Sequence, residues 1–307
     1  MLYVTTRDDK DAYTAHRTLH SDFAPDGGQF VPFKLPVFTE EEIKRFADGN
    51  FGQNVAEILN LFFSVKLNGP EIELSIGRNP VKLVPLSQKI TVAEIWHNPM
   101  SKFQYTVQIL YRKLTADQGG KPTLWFETVV RIAFLFGIFG EMHSGNDVSS
   151  LDVAISAADA SVVNAVWMAK KMGLPLDMMI IACDEGSAVW DVLRRGVCTN
   201  GATEPESKIV EQVIYHGFGP DEVKKYLLSR SVGTVYSAEE ERLSEVRNYT
   251  FVAAVSRSRL DTVASSVMRT DSYRINDDTA AAFGGLQDYR ASTRENRMTL
   301  ILVEDKQ

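Results

Sequence analysis

The side chains that could do chemistry lie where apolar segments end. His97 follows the segment TVAEIW, and an imidazole at a strand end could act as a base in a pocket. A hydrogen-bonded structural histidine is the competing interpretation. Cys183 ends the segment DMMIIAC and precedes Asp184 and Glu185. Because adjacent carboxylates raise the pKa of a thiol, a buried free thiol is favoured over a nucleophile.

Metal and disulfide chemistry are not expected. The cysteines Cys183 and Cys198 lack CxxC spacing and have no companion histidine cluster. The other histidines, His16, His20, His143 and His216, show no metal-ligand spacing. We therefore predict no metal site.

Apolar segments alternate with helical patterns along most of the chain. Several are continuous apolar runs, which are typical of strands in a sheet that is covered on both faces. The alternation predicts an α/β fold with a mostly parallel sheet and helices on both faces. The predicted strands are KLVPL (82–86), TVAEIW (91–96), DVAIS (152–156), DMMIIAC (177–183), FVAAV (251–255) and MTLILV (298–303).

Helix boundaries are marked by capping residues. Thr39 and Glu42 have the spacing of a capping box, and Gly173 and Gly196 follow helical patterns as stop signals. Residues 129–142 are strongly apolar but too short to cross a bilayer, so we predict a buried helix there.

Composition and charge restrict the partners. The chain has 307 residues, 44% of them hydrophobic, and a net charge of −7. No basic block or stripe is visible, so binding to nucleic acid or to an anionic membrane is not expected. The polar N-terminal segment lacks the apolar middle of a secretory leader. These features favour a cytoplasmic protein whose partners are small molecules or other proteins.

Several motifs, in order along the chain, resemble those of threonine synthases, which are pyridoxal phosphate enzymes of fold type II. FAPDGGQFVP (23–32) is similar to their N-terminal Leu-Ala-Pro-Asp-Gly-Gly-Leu-Tyr-Val-Pro, and HNPMSKFQY (97–105) to their cofactor segment His-Gly-Pro-Thr-Leu-Ala-Phe-Lys-Asp. Weaker similarities follow at AKKMGLP (169–175), ACDEGSAVWDVLRRG (182–196), ESKIVEQVIYHGFGPD (206–221) and YRINDDTAAAFGG (273–285). The resemblance implies the fold of the larger domain of these enzymes.

The resemblance places Gln104 where the family has its cofactor lysine. Pyridoxal phosphate acts as an electron sink only after its aldehyde condenses with an amine, and the lone pair of an amide nitrogen is delocalised into its carbonyl. Lys102 is nearby, but residues two apart on a helix lie about 200° around the axis. Lys102 is therefore predicted to face away from the pocket if Gln104 faces in.

The family's phosphate turn, Pro-Thr-Gly-Asn-Phe-Gly, corresponds here to residues 156–161, which read SAADAS. Both glycines are replaced, and alanine resists the left-handed backbone that converging N–H groups require. Asp159 would place a carboxylate beside a phosphate. We expect Asp159 or Ser161 to cap the following helix instead.

The late motif keeps a hydroxyl but loses a histidine. Where the family has Pro-His-Thr-Ala, this chain has Asp277, Asp278, Thr279 and Ala280. Thr279 could line a pocket or simply belong to the first turn of a helix. No catalytic or cofactor-binding residue is expected, and the candidates for a remnant pocket are His97, Asn98, Gln104, Ser156, Asp159, Ser161, Asn164 and Thr279.

The resemblance also implies a missing layer. The chain passes from the segment of Gln104 to a later family helix through TADQGGKPT (115–123), where threonine synthases carry a small domain. We therefore predict an N-terminal unit over 1–80 and a large α/β domain over 81–307, with the small domain deleted around 115–123. Removing a domain uncovers apolar surface, which predicts a homo-oligomer or a complex with a related enzyme.

Three functions remain open from the sequence. The first is a pseudoenzyme without pyridoxal phosphate that acts in binding or assembly. The second is an active lyase of the threonine synthase type on O-phosphohomoserine, with the cofactor held non-covalently or by Lys102. The third is an amino-acid sensor that uses the remnant cleft.

Overall fold

The computed structural model describes residues 1–96, 102–143, 150–158, 160–184, 186–199 and 204–305. The N-terminal unit holds an antiparallel sheet of β1 (Leu2–Thr5), β2 (Tyr13–Thr14) and β3 (Phe30–Pro32), with β1 in the centre. Its helices are α1 (Ala15–His20), α2 (Glu40–Asp48), α3 (Phe51–Phe63) and α4 (Gly69–Ile76). The predicted capping box is confirmed, because the Thr39 hydroxyl accepts the Glu42 N–H at 3.3 Å and the Glu42 carboxylate accepts the Thr39 N–H at 2.8 Å.

The main sheet confirms the predicted fold class. The later strands are β4 (Lys82–Leu86), β5 (Ile90–Glu94), β6 (Leu151–Ser156), β7 (Leu176–Cys183), β8 (Val197–Cys198), β9 (Tyr236–Ser237), β10 (Thr250–Ala254) and β11 (Thr299–Val303). Within the described residues, β8 and β9 form a separate ribbon, and the others form one sheet in the order β10-β7-β6-β11-β5-β4. All neighbours in that sheet are parallel except β4 and β5, which form a hairpin. The six predicted strands match it to within one or two residues at each end.

Helices cover both faces of this sheet. The later helices are α5 (Phe103–Thr115), α6 (Leu124–His143), α7 (Ala160–Lys171), α8 (Ala188–Trp190), α9 (Glu204–Phe218), α10 (Pro220–Val232), α11 (Glu240–Arg247), α12 (Arg257–Asp271) and α13 (Asp277–Thr293), with a π-helical turn, Asp191–Arg195, continuing α8. Alternate residues of a strand enter different cores: Val153 packs with α6 and α7, and its neighbour Ala154 packs with α12 and α13. Burial on both faces explains the continuous apolar runs of these strands.

The apolar segment 129–142 lies inside α6, which is buried along most of its length as predicted. None of the helices in the described ranges meets the length and apolarity needed to span a membrane. The core around α6 also contains residues of the N-terminal unit, such as Phe46, Val55 and Phe62. The boundary near residue 80 stays a prediction.

The two glycines predicted to end helices have the expected left-handed backbone. Gly173 and Gly196 have φ of +106° and +70°, a left-handed backbone that costs little without a Cβ atom. Between α5 and α6 the chain runs through residues 116–123 without a helix or strand. These two helices and the ends of β6 and β11 frame the candidate site.

Candidate functional site

A solvent-open cavity of about 310 Å³ lies at the carboxyl ends of β6 and β11. Ligands of open α/β sheets bind at this edge because the loops and helix starts that follow the strands converge there. The lining residues are Lys102, Gln104, Arg131, Ile155, Ser156, Ala158, Val162, Asn276, Asp278, Thr279, Ala282, Leu302, Glu304 and Asp305. Gln104, Ser156 and Thr279, which sequence reasoning selected, are among them.

Gln104 lies in the first turn of α5 and is exposed at the cavity. Its side-chain amide donates a hydrogen bond from Nε2 to Oε1 of Glu127 on α6, over 2.8 Å. A neutral donor thus occupies the position that the family motif assigns to an amine. The amide is held by its neighbour rather than left rotating in solvent.

Arg131 and Glu304 form the strongest ion pair at the cavity. The guanidinium of Arg131 donates from Nε and Nη2 to the two carboxylate oxygens of Glu304 at 2.6 and 2.7 Å. Its Nη1 lies 3.6 Å from Oε2 of Glu127, and its Cζ lies 5.2 Å from the ring centre of Phe103. The Arg131 side chain is only 3% exposed, so its guanidinium is buried in the wall of the cavity.

Sequence reasoning missed this pair because Arg131 and Glu304 are 173 residues apart. The placement of the end of β11 beside α6 brings them together. One signal was available, namely a lone arginine inside the apolar segment of α6. A buried guanidinium requires a paired carboxylate, which predicts an acidic partner without identifying it.

The prediction that Lys102 faces away from the pocket was wrong. Lys102 precedes α5 in an extended conformation, with φ −147° and ψ 132°, and bridges to Asp305 in an antiparallel manner. The helical spacing used for the argument therefore does not apply to this residue. Both Lys102 and Gln104 line the cavity.

The turn after β6 uses its N–H groups within the protein. The Ala157 N–H donates to the carbonyl of Ala182 at 2.8 Å, and the Ala158 N–H donates to the Ser156 hydroxyl at 3.2 Å. These two N–H groups are thus engaged within the protein. Ser161 lies inside the first turn of α7 and is buried, so it does not occupy the capping position.

Thr279 satisfies both of its predicted roles. It lies in the first turn of α13, where its N–H donates to the side chain of the capping residue Asn276 at 3.0 Å, and it also lines the cavity. Asp277 and Asp278 precede it in the same turn, where carboxylates are stabilised by the helix dipole. Asp278 lines the cavity, and Asp277 lines a neighbouring one.

Asn164, one of the remaining candidates, does not join the cavity. Asn164 is 1% exposed, and neither polar atom of its side chain has a hydrogen-bond partner in the structure described. It is absent from the cavity lining. His97, Asn98 and Asp159 lie outside the described residues.

Cys183 borders the neighbouring cavity of about 570 Å³, between the ends of β6, β7 and β10. Burial, and secondarily the charge of Asp184, raises the pKa of its thiol to about 12. This agrees with an inert buried thiol. In the part of the chain that the structure describes, no group of three or more His, Cys, Asp or Glu side chains could hold a metal ion.

Comparisons with known proteins find similarity to threonine synthases and threonine synthase-like proteins. The family described as threonine synthase N terminus matches residues 2–78. Threonine synthase-like 2 of Mus musculus is 28% identical over 114 residues, and that of Xenopus laevis is 28% identical over 113. Each match covers 34% of this chain, but only 23% and 24% of the respective relatives.

The fold similarity extends over the whole chain. A PLP-bound threonine synthase from Brucella melitensis superposes with a TM-score of 0.78 at 15% identity, covering 100% of this chain and 89% of that one. Yeast threonine synthase gives 0.77 at 12% identity, with 99% and 87% covered. At such identities the similarity establishes the fold, and the family match over residues 2–78 relates the N-terminal part of this chain to that of threonine synthases.

Proposed function

We propose that this chain is a threonine synthase-like pseudoenzyme that acts by binding or assembly and does not use pyridoxal phosphate. One observation carries the proposal: the side chain at the family's lysine position is the amide of Gln104, bonded to Glu127. An amide nitrogen cannot condense with an aldehyde, so this position can neither hold the cofactor covalently nor activate it.

The rest of the cavity also does not fit the cofactor. A phosphate needs several converging donors, but the N–H groups of Ala157 and Ala158 already donate to oxygens of the protein. The carboxylates of Asp278, Glu304 and Asp305 line the same cavity and would repel a dianion. The loss of the amine and the loss of the cradle thus support the proposal independently.

Assembly is the second part of the proposal. The short connection over residues 116–123 is consistent with removal of the small domain of threonine synthases, as proposed from the motifs. Tyr105 and Leu124, on the two helices that it joins, are 47% and 42% exposed. We propose that a second copy or a related enzyme covers this face. Sedimentation equilibrium of the purified chain tests it: a monomer that also fails to bind a threonine synthase would contradict assembly.

The decisive experiment for the cofactor is reductive trapping. The purified chain is incubated with pyridoxal phosphate, treated with borohydride and digested, and its peptides are weighed by mass spectrometry. We expect no modified peptide from residues 97–115 and no visible absorption band of an imine. Modification within this segment, saturating at one cofactor per chain, would overturn the proposal.

A second candidate function is favoured by the position of Lys102. Lys102 carries a primary amine and lines the same cavity as Gln104, so an active lyase that uses Lys102 in place of the family lysine is a defined alternative. Lys102→Ala tests it, with Lys121→Ala as a control because Lys121 is exposed and does not line the cavity. Trapping and release of phosphate from O-phosphohomoserine that both disappear in Lys102→Ala, and persist in the control, would establish it.

A further inference from the structure

We propose that the cavity binds a small unphosphorylated amino acid, as a zwitterion, in the place that the fold family gives to its cofactor. This inference rests on the proposed function and specifies its ligand. It follows from the size of the cavity, from its apolar walls and from the arrangement of its charges.

The size and walls suit a small molecule with an aliphatic part. The cavity measures about 310 Å³, and Ile155, Val162, Ala282 and Leu302 contribute apolar surface to it. Ser156 and Thr279, which carry hydroxyls, also belong to the lining. A preformed pocket with apolar walls and a few converging polar groups is the usual form of a small-ligand site.

Lys102 provides the cation that can bind the carboxylate of a ligand. The Arg131 guanidinium is already bound through two short hydrogen bonds to Glu304. The Lys102 ammonium is exposed and makes no hydrogen bond or ion pair with a described residue. It can therefore pair with the carboxylate of an amino acid without breaking an existing contact.

The opposite charge comes from Asp278 and Asp305. Both side chains are exposed and line the cavity, Asp278 from α13 and Asp305 from the segment after β11. A carboxylate offers about four lone-pair positions, so contacts that it makes within the protein do not exclude an ammonium group. A ligand with both an ammonium and a carboxylate thus finds a partner for each.

The same charges disfavour a phosphorylated ligand. The lining carries three carboxylates, on Asp278, Glu304 and Asp305, against two cations, on Lys102 and Arg131. The start of α13 offers little to an additional anion, because Asp277 and Asp278 already occupy its first turn and Asn276 accepts the Thr279 N–H. Phosphorylated homoserine should therefore bind less well than a neutral zwitterion of similar size.

The test measures binding of free amino acids to the full chain. The proteinogenic amino acids, L-homoserine and O-phospho-L-homoserine are screened by thermal shift at millimolar concentration, because a ligand of the folded state raises apparent stability. The best amino acid is then compared by calorimetry with its amino alcohol, which lacks the carboxylate, and its N-acetyl form, which lacks the ammonium. We expect each deletion to weaken binding by about tenfold, as for the loss of one charged contact.

Matched variants locate the site. Asp278→Asn should weaken binding about tenfold, whereas Asp277→Asn removes the same charge from the same helical turn but lies outside this cavity and should change binding less than about twofold. Equal effects of the two variants, equal binding of the phosphorylated compound, or no shift with any amino acid would overturn the inference. If the trapping experiment finds no cofactor and the binding measurements detect no amino acid, the proposed function stands and only the assignment of the ligand is wrong.

Discussion

The buried pair of Arg131 and Glu304 should dominate the local stability of the cavity, and Arg131→Met tests this. The substitution keeps an unbranched apolar side chain of similar reach but removes a guanidinium that is 3% exposed. It leaves the carboxylates of Glu304 and Glu127 facing a site without their cation. Breaking a buried ion pair by removing one partner costs roughly 3–5 kcal/mol.

The expected cost lies near the lower limit of that range. Glu304 is 29% exposed, so water replaces part of what its carboxylate loses. The lost contact with the ring of Phe103 adds about 0.5–1 kcal/mol. We expect the free energy of unfolding to fall by about 3 kcal/mol, which is more than a hundredfold in the folding equilibrium.

Urea unfolding at pH 7 measures this loss, with Arg45→Met as the matched control. Arg45 pairs with Glu57, but their side chains are 59% and 40% exposed, so the same substitution should cost less than about 1 kcal/mol. The double variant Arg131→Met with Glu304→Gln should recover part of the loss, because it removes one of the two uncompensated carboxylates. Similar losses in Arg131→Met and Arg45→Met would refute the reasoning.

Three further predictions concern the site and its surroundings. Gln104→Lys should remain unmodified in the trapping experiment, since Glu127, 2.8 Å from the amide, would hold the new ammonium as an ion pair and the N–H groups of Ala157 and Ala158 still donate within the protein; efficient trapping would show that the lysine was the only loss. Burial, and secondarily Lys171, lowers the pKa of His216 from 6.5 to about 3, so only the unfolded chain binds this proton as the pH falls below about 6.5. The free energy of unfolding should then decrease between pH 7 and 5 by up to about 1.4 kcal/mol per pH unit, and the slope should be shallower in His216→Gln; parallel slopes would contradict this assignment. Cys183, with its thiol pKa raised to about 12, should react with iodoacetamide at pH 8 far more slowly in the folded chain than in urea, and peptide mass spectrometry would reveal any fast native reaction.

Local patterns predicted the elements well because their causes are local. The capping box of Thr39 and Glu42 depends on residues three apart, and the stops at Gly173 and Gly196 on one backbone angle each. The central strands of the main sheet are apolar on both faces because helices cover both, and this leaves a continuous run in the sequence. That Gln104 carries an amide and not a primary amine also follows from the sequence, since a side chain's chemistry does not depend on the fold.

What the sequence by itself determined was therefore the six strands of the main sheet and the class of fold. The tertiary structure decided the antiparallel placement of β4, the extended conformation of Lys102 beside the cavity and the pairing of Arg131 with Glu304. Each of these depends on which distant segments become neighbours. Periodicity reports which face of a segment is buried, but it carries no information about the partner that buries it.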